Sequence, residues 1–517
     1  MEGKKIVVLG GGTAGWLTAL FCRKTFPLAS ITLIENTSLG TVGVGEGTTP
    51  VFTRMLHQLG LDEFDVLREV GGTVKSGISF ENWNGDNEKY FHSFHYANGD
   101  WSQGGFAMLP HFIGGCEQYH LQSLIKEGLD FNEYVYSTRI AYRNELDLFT
   151  AGVQYPLILH MDNSKVGIYL RRIGEERNIV CVDGNFSHVG VDENNFIQKL
   201  CLDDGRDFEC DFVFDCSGFA KLLIGKYYKV PWISYKDYLP MKKAIVFPLE
   251  SEKDVKPYTQ AIAMKYGWLW KLPVKDRIGA GYVFDSDYLE DEEAINEAQQ
   301  FLGQTLSNAR SISFEAGSHE KFWVKNCISI GLASNFMEPL EATSIDTIVI
   351  QLNELKEFIN HVFKYNEKSA ASYNQIISHD VEGIMHFIYL HYLTKRKDTD
   401  FWKTFQERHP VPQKFEETLN LIYENNLREK DCVYFSAMDY LEICNGLKIF
   451  KQPIDMGGYE NLTPSIAEYK TRNDEAIRFS KQIMKHTDFL AGLYGPERLG
   501  SPLGPPCYCQ PGFHRVR

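Results

Sequence analysis

No run of apolar residues in the chain approaches the about 18–20 needed to cross a bilayer as a helix, so a membrane-spanning helix is not expected. The start, MEGKKIVVLG, lacks the charged, apolar and small-residue succession of a cleaved leader. Positive charge is in deficit, with 53 Lys and Arg against 68 Asp and Glu, a net of −15. That balance repels nucleic-acid backbones and anionic headgroups, so neither nucleic acid nor membrane is expected as a partner. The eleven cysteines form no CxxC pair and no metal-like Cys/His spacing. Cys22 and Cys216 stand among apolar residues as buried thiols, which fits a reducing, cytoplasmic location. No fixed-period repeat or low-complexity segment precedes the Gly/Pro-rich end GSPLGPPCYCQPGFHRVR, whose Cys507 and Cys509 read as part of a disordered tail. What is present is 517 residues, 44% hydrophobic and 23% charged, a globular balance with room for two to four domains at ~150 residues each.

The N-terminus reads as strand, tight turn and helix: KKIVVLG, then GGGTAG, then an apolar helical pattern through Trp16, Leu20 and Phe21. A second strand, Ser30 to Ile34, leads into Glu35, 20 residues beyond Gly15. Strands are expected in IVCVDGNFSHVGVD, FIQKLCLDDG and DFVFDCSGF, and between residues 240 and 330 in AIVFPLE, YGWLWKLPV, IGAGYVF and CISIGLA. From about Glu341 the pattern turns helical, with amphipathic stretches at 345–363, 372–393, 413–427 and 465–490.

Gly10, Gly12 and Gly15 form G-x-G-x-x-G, the spacing that permits a tight turn, close backbone approach to a pyrophosphate and packing of helix on strand. The helix start then offers N–H donors to phosphate. An acid at Glu35 is placed for an adenosine ribose, so a dinucleotide site is expected. The motif alone does not separate NAD from FAD. GTVGVGEGTTP after the acid, and a second strand ending in DFVFDCSGF, resemble glutathione-reductase-type folds in which late segments return to the flavin, which favours FAD.

The strings GGGTAGW, GVGEGTTP, KSGISFENW, FDCSGF, GWLWKLPV, NFMEPLEATSI and HYLTKRKDTDFW occur in the order of their counterparts in flavin-dependent halogenases of the tryptophan-halogenase family, a resemblance over about residues 5–405. Trp268-Leu269-Trp270-Lys271-Leu272-Pro273 is similar to the family's W-x-W-x-I-P signature, with Leu for Ile. On composition, Trp268 and Trp270 are one face of a buried strand. The resemblance implies that they shield the flavin from organic substrate. Lys75, otherwise a solvated lysine at a strand start, matches the family's catalytic lysine. Its ammonium could hold hypohalous acid by hydrogen bonds or be converted to a haloamine. Glu341, on composition a first-turn carboxylate favouring a helix dipole, matches the second catalytic residue.

Thr343 and Ser344 match the positions whose amides hold halide, although Ala342-Thr343-Ser344 replaces the Ser-Thr-Gly of many family members. His92 and Phe94, on one face of YFHSFH, resemble the His-x-Phe that stacks on the substrate. The implied FAD contacts are Gly10, Gly12, Thr13, Ala14, Gly15, Glu35, Val42, Val44, Gly45, Glu46, Gly218 and Ile345. No metal site is expected, since His92 and His95 lack a third ligand.

The expected architecture is α/β: a Rossmann-like, glutathione-reductase-type FAD module with a β-sheet wall at 1–340, a helical substrate lobe at 341–498 and a tail at 499–517. The resemblance implies electrophilic halogenation of an electron-rich arene of indole or phenol type by hypohalous acid made at the flavin. FAD would serve as FADH2, with halide and O2 as co-substrates. Only one dinucleotide fingerprint is present, so a separate NAD(P)H-dependent flavin reductase is the expected partner beside the small aromatic substrate, and homo-oligomerisation is left open. An FAD aromatic hydroxylase and a non-catalytic flavin-binding module are the rival readings. The tryptophan pair argues against the first, and joint retention of Lys75 and Glu341 argues against the second.

Overall fold

Ile6, Val7, Val8 and Leu9 are apolar without alternation, the signature of a strand buried on both faces. In the computed structural model, which describes residues 2–40, 45–75, 77–93, 158–424, 427–449 and 486–495, the Lys5–Leu9 strand is central to a six-stranded sheet. Ser30–Glu35 and then Val180–Asp183 extend it on one side, and Phe212–Asp215 and Cys327–Ser329 on the other, all parallel. Trp323–Val324 closes the far edge antiparallel. The first strand runs through Gly10 to Gly12 into the Thr13–Thr25 helix. Gly10 has φ +122, and a Cβ there would lie 2.1 Å from the Cys216 carbonyl oxygen. A Cβ on Gly15 would lie 1.8 Å from the Gly10 carbonyl oxygen, so only hydrogen permits this helix to start so close to the strand.

A second, seven-stranded sheet forms the wall. Its order is Arg310–Ser313, Lys243–Leu249, Arg277–Phe284, Gly267–Val274, Thr259–Ala263, Gly77–Glu81 and Lys89–Ser93. All its neighbours are antiparallel except Thr259–Ala263 with Gly77–Glu81. One sheet therefore carries the two tryptophans, the strand that follows Lys75, and His92, which pairs with Ile78. A small antiparallel sheet of Glu46–Gly47, Leu159–Met161 and Thr73–Val74 delivers Lys75 beside Gly47.

The C-terminal third is helical. The Thr343–Leu355 helix buries Ile345, Ile348, Val349, Leu352 and Leu355, each worth about 1.5–3 kcal/mol of apolar burial. Gln351 ties it to the nucleotide sheet, donating to the Ser329 carbonyl and accepting from the Gly331 amide and the Ser334 hydroxyl. The expected helix at 345–363 tightens into a 3₁₀ segment, Lys356–His361. That at 372–393 begins earlier, at Glu367, where the Asn366 side chain accepts from Ser369 N. The 413–427 stretch is a 3₁₀ turn followed by Glu416–Tyr423. Of 465–490, only the start of the His486–Tyr494 helix is described. The strand expected over CISIGLA stops at Ser329, because Gly331 takes φ +66 and opens a 3₁₀ turn. Asp400–Arg408 is a helix that the pattern reading lacked, capped by Thr399 accepting from Trp402 N. The tail at 499–517 lies outside the described residues.

Gly15→Ala should lower the free energy of unfolding in urea by about 1–3 kcal/mol or more, the cost of overpacking. Gly12→Ala, whose Cβ would meet nothing within 4 Å, should cost well under that.

Candidate active site

The nucleotide end of the site is built by the turn after the first strand. Gly12 is exposed at the N-cap of the Thr13–Thr25 helix, and the space above it and above Gly218 is open. Backbone can therefore approach an anion at both places, with the Thr13 and Ala14 amides in the helix's first turn. Glu35 closes the edge. Its Oε1 accepts from Arg171 Nη1 at 2.7 Å, and its other carboxylate oxygen covers Gly11, where a Cβ would lie 1.8 Å away. Asp215 explains the conformation of DCSGF. One oxygen accepts from the Ser217 amide and hydroxyl, and the other from the Leu223 and Ile224 amides, which holds Gly218 at φ +64. These cradles fit an FAD pyrophosphate and ribose. Gly45 and Glu46 are half-buried, Ile345 is buried, and Val42 and Val44 lie outside the described residues.

Trp268 is fully buried and Trp270 half-buried, with ring centroids 6.0 Å apart. Trp270 lies over Gly281, where a Cβ would sit 2.1 Å from its ring. Beside Trp268, Glu338 is wholly buried and accepts from Tyr392 OH. Burial pushes its carboxyl up to about 8, against the hydroxyl and the Trp268 indole N–H.

Three residues along the same EPLE turn, Glu341 has the opposite fate. It is also wholly buried, yet Oε2 meets His92 Nδ1 at 2.9 Å and Oε1 meets His391 Nε2 at 2.7 Å. Burial opposes its charge, but the two histidines outweigh it and hold the carboxyl down at about 2. His92 extends the chain, since its Nε2 meets Asp439 Oδ1 at 3.1 Å. Burial works against the imidazolium, while Glu341 and Asp439 raise it well above the usual histidine range. His391 Nδ1 donates to the Phe387 carbonyl at 2.8 Å, which turns Nε2 towards Glu341. The His92 ring rests against Phe387 and Phe435, which stack on each other with centroids 3.8 Å apart. Phe94 lies outside the described residues.

Lys75 is fully buried, and its Nζ donates to the Thr48 carbonyl at 3.0 Å. It runs along Gly47, where a Cβ would lie 2.9 Å from Nζ. Glu341 pairs with the two histidines and makes no ion pair with Lys75. Ala342, before the helix, takes φ 57, a left-handed conformation costing about 1–2 kcal/mol in a residue with a Cβ. It turns the Thr343 and Ser344 amides into the first turn of the helix, where backbone N–H groups have no intrahelical acceptor. Those two residues line a small recess with Leu332, Asn335, Phe336, Met337 and Thr347.

The structure thus brings His92 to Glu341, Lys75 to Gly47 and Thr48, and Trp268 to Glu338. The sequence reading missed His391, Asp439, Glu338 and Tyr392. A histidine inside the apolar run IMHFIYLHYL was the available signal for His391. The others had none beyond lying within resemblance strings or a helix.

A Rossmann-like nucleotide module and a tryptophan-bearing wall are the architecture of flavin-dependent halogenases, to which the chain is also similar in sequence. The chain matches the tryptophan halogenase family over residues 5–458 and belongs to it. It is 32% identical to the tryptophan 7-halogenase RebH of Lentzea aerocolonigenes, over 79% of this chain and 80% of that protein. It is 28% identical to the 7-chloro-L-tryptophan 6-halogenase KtzR of Kutzneria sp. (strain 744), over 95% and 99%. Among solved structures, BrvH, a flavin-dependent halogenase from Brevundimonas sp. BAL3, superposes with a TM-score of 0.80 at 29% identity, over 95% of this chain and 99% of that one. Xcc4156, a flavin-dependent halogenase from Xanthomonas campestris, gives 0.82 at 27% identity, over 95% and 98%. The enzyme accordingly uses FADH2, halide and O2, with a flavin reductase as partner and an aromatic substrate.

Glu341 contributes stability that is present above the carboxyl's unfolded pKa and lost as pH falls towards about 2. Urea unfolding should therefore show about 3 kcal/mol of wild-type stability disappearing between about pH 4.5 and 2, and Glu341→Gln should flatten that segment. His92→Leu, which leaves the buried carboxylate with one partner, should cost about 3–5 kcal/mol at neutral pH.

Proposed function

We propose that the enzyme halogenates an indole- or phenol-type arene with hypohalous acid, Lys75 and Glu341 being its catalytic residues. The observation that carries this reading is the buried Glu341 carboxyl held between His92 and His391. FAD rests on Gly10, Gly12, Thr13, Ala14, Gly15 and Glu35, with Val42, Val44, Gly45, Glu46, Gly218 and Ile345 around it. When bound in reduced form it supplies, with O2, the oxidising equivalent that turns halide into hypohalous acid. The Thr343 and Ser344 amides hold the halide, and Trp268 and Trp270 bar the arene from the flavin.

Lys75 receives the hypohalous acid, either by donating hydrogen bonds to it or, as the free amine, by forming a haloamine with release of water. Halogen transfer replaces one ring hydrogen, and the positive charge that grows on the ring is stabilised by Glu341, which takes the departing proton. His92, whose nitrogens are occupied by carboxylates, has only its ring left to offer an arene, and the family resemblance gives Phe94 the same stacking role.

Free tryptophan would need polar partners for its ammonium and carboxylate. Near the pocket, Tyr434 OH donates to Asp346, and Asp439 accepts from His92 and from the Ser436 amide and hydroxyl. Both are consumed within the chain, and desolvating an unmatched zwitterion outweighs indole stacking. This supports small indoles over the amino acid. The eight described cysteines are free thiols, and no described helix is long and apolar enough to cross a membrane, which supports a cytoplasmic placement.

With a reductase, NADH, FAD and bromide, product mass should show bromine in place of hydrogen, and added oxygen would favour the hydroxylase reading instead. NADH without reductase should give no turnover. Lys75→Ala should abolish product, and wild-type yield from that variant would remove the lysine from catalysis. Glu341→Ala should slow formation by about 10²–10⁴-fold. Indole should exceed tryptophan in kcat/KM, and bromide should serve at least as well as chloride, because it is more easily oxidised. A tryptophan kcat/KM well above that of indole would show an amino-acid clamp.

A further inference from the structure

The first turn of the Thr343–Leu355 helix carries an acid for which the chemistry above has no use. Asp346 is buried, and its two oxygens accept from two neutral hydroxyls, Thr49 Oγ1 at 2.6 Å and Tyr434 OH at 2.7 Å. Thr49 is the N-cap of the Pro50–Leu59 helix, and Tyr434 stands at φ 66 in the segment before the Ala437–Gly446 helix. Three separate stretches of chain thus converge on one carboxyl group. A second acid, Glu46 of the Glu46–Gly47 strand, lies near enough for the charge of Asp346 to act on it.

The other charged groups around the pair are Lys75 from beside Gly47, Arg54 from the Pro50–Leu59 helix, and Asp380 from the Glu367–His391 helix, which faces Tyr434. Burial, and then the charge of Asp346, pushes Glu46 up to about 7. Burial pushes Asp346 up to about 6 against Thr49, Tyr434, Lys75 and Arg54. Both acids therefore titrate within reach of neutrality.

An ionised carboxylate in the first turn competes with any other anion for the positive end of the helix. A halide held by the Thr343 and Ser344 amides is such an anion. Conversion of a halide ion to hypohalous acid also consumes one proton. We propose that the Glu46–Asp346 pair takes up one proton when halide binds, so that ion and proton enter the site together. The inference rests on the assignment of halide to Thr343 and Ser344 made above. Asp346 and Glu46 act on the halide through charge and proton supply, without touching it.

The test is bromide binding to the holoenzyme with oxidised FAD, by titration calorimetry from about pH 6 to 8.5 in buffers of different ionisation enthalpy. Wild type should take up close to one proton per bromide above neutrality, with apparent Kd rising about tenfold per pH unit there. Asp346→Asn should still bind bromide, with the slope and the proton uptake lost, and Glu46→Gln should reduce both. Saturable bromide binding with no proton uptake and a flat Kd would overturn the coupling and leave the halide site standing. Absence of saturable binding at every pH would instead overturn the halide assignment beneath it. A wild-type slope retained in both variants would take the proton away from this pair. Should Asp346→Asn fail to fold, the wild-type buffer comparison and Glu46→Gln still decide.

Discussion

A carboxylate withdrawn from water keeps its charge only where the chain supplies partners, and Glu341 obtains two of them from sequence-distant elements. His92 is 249 residues away on the edge strand of the wall, and His391 is 50 residues away at the end of the Glu367–His391 helix. Asp439 adds a fourth member from a later segment. The edge of the wall, the EPLE turn and two helices must therefore be in register before this charge can exist. The same chain of hydrogen bonds also ties the helical third to the sheet.

The EPLE turn shows how environment separates two identical side chains. Glu338 accepts from a tyrosine hydroxyl, a neutral donor that does not offset its burial. Glu341 faces two imidazoles and stays ionised. Burial raises the one carboxyl and imidazole partners lower the other, so one short turn holds two identical groups with opposite tendencies to ionise. Asp346, five residues beyond Glu341, stands between these extremes, tied only by hydroxyls.

The nucleotide module was legible because its signals are local. An apolar strand, glycines at fixed spacing and an acid at the end of the next strand all fall within residues 5–35, and the structure places each as the pattern requires. Lys75, Glu341 and the tryptophan pair came through motif resemblance, and the structure buries all four wholly or partly. What stayed hidden was partnership. Arg171 on Glu35, His391 on Glu341 and Tyr434 on Asp346 join residues 136, 50 and 88 positions apart, and such contacts leave no periodicity in a sequence. Helix limits were misjudged where caps decide them, at Asn366 and Thr399, since a single side chain there outweighs the apolar pattern around it.

The claim on which the rest turns is that Glu341 is ionised in the folded interior. Infrared difference spectroscopy of wild type against Glu341→Gln, with isotope-labelled glutamate, reads that state directly. At about pH 4, where an ordinary glutamate is largely protonated, the carboxylate stretching bands of Glu341 should remain and weaken only towards about pH 2. A protonated carbonyl band assigned to Glu341 at about pH 5 would contradict the account.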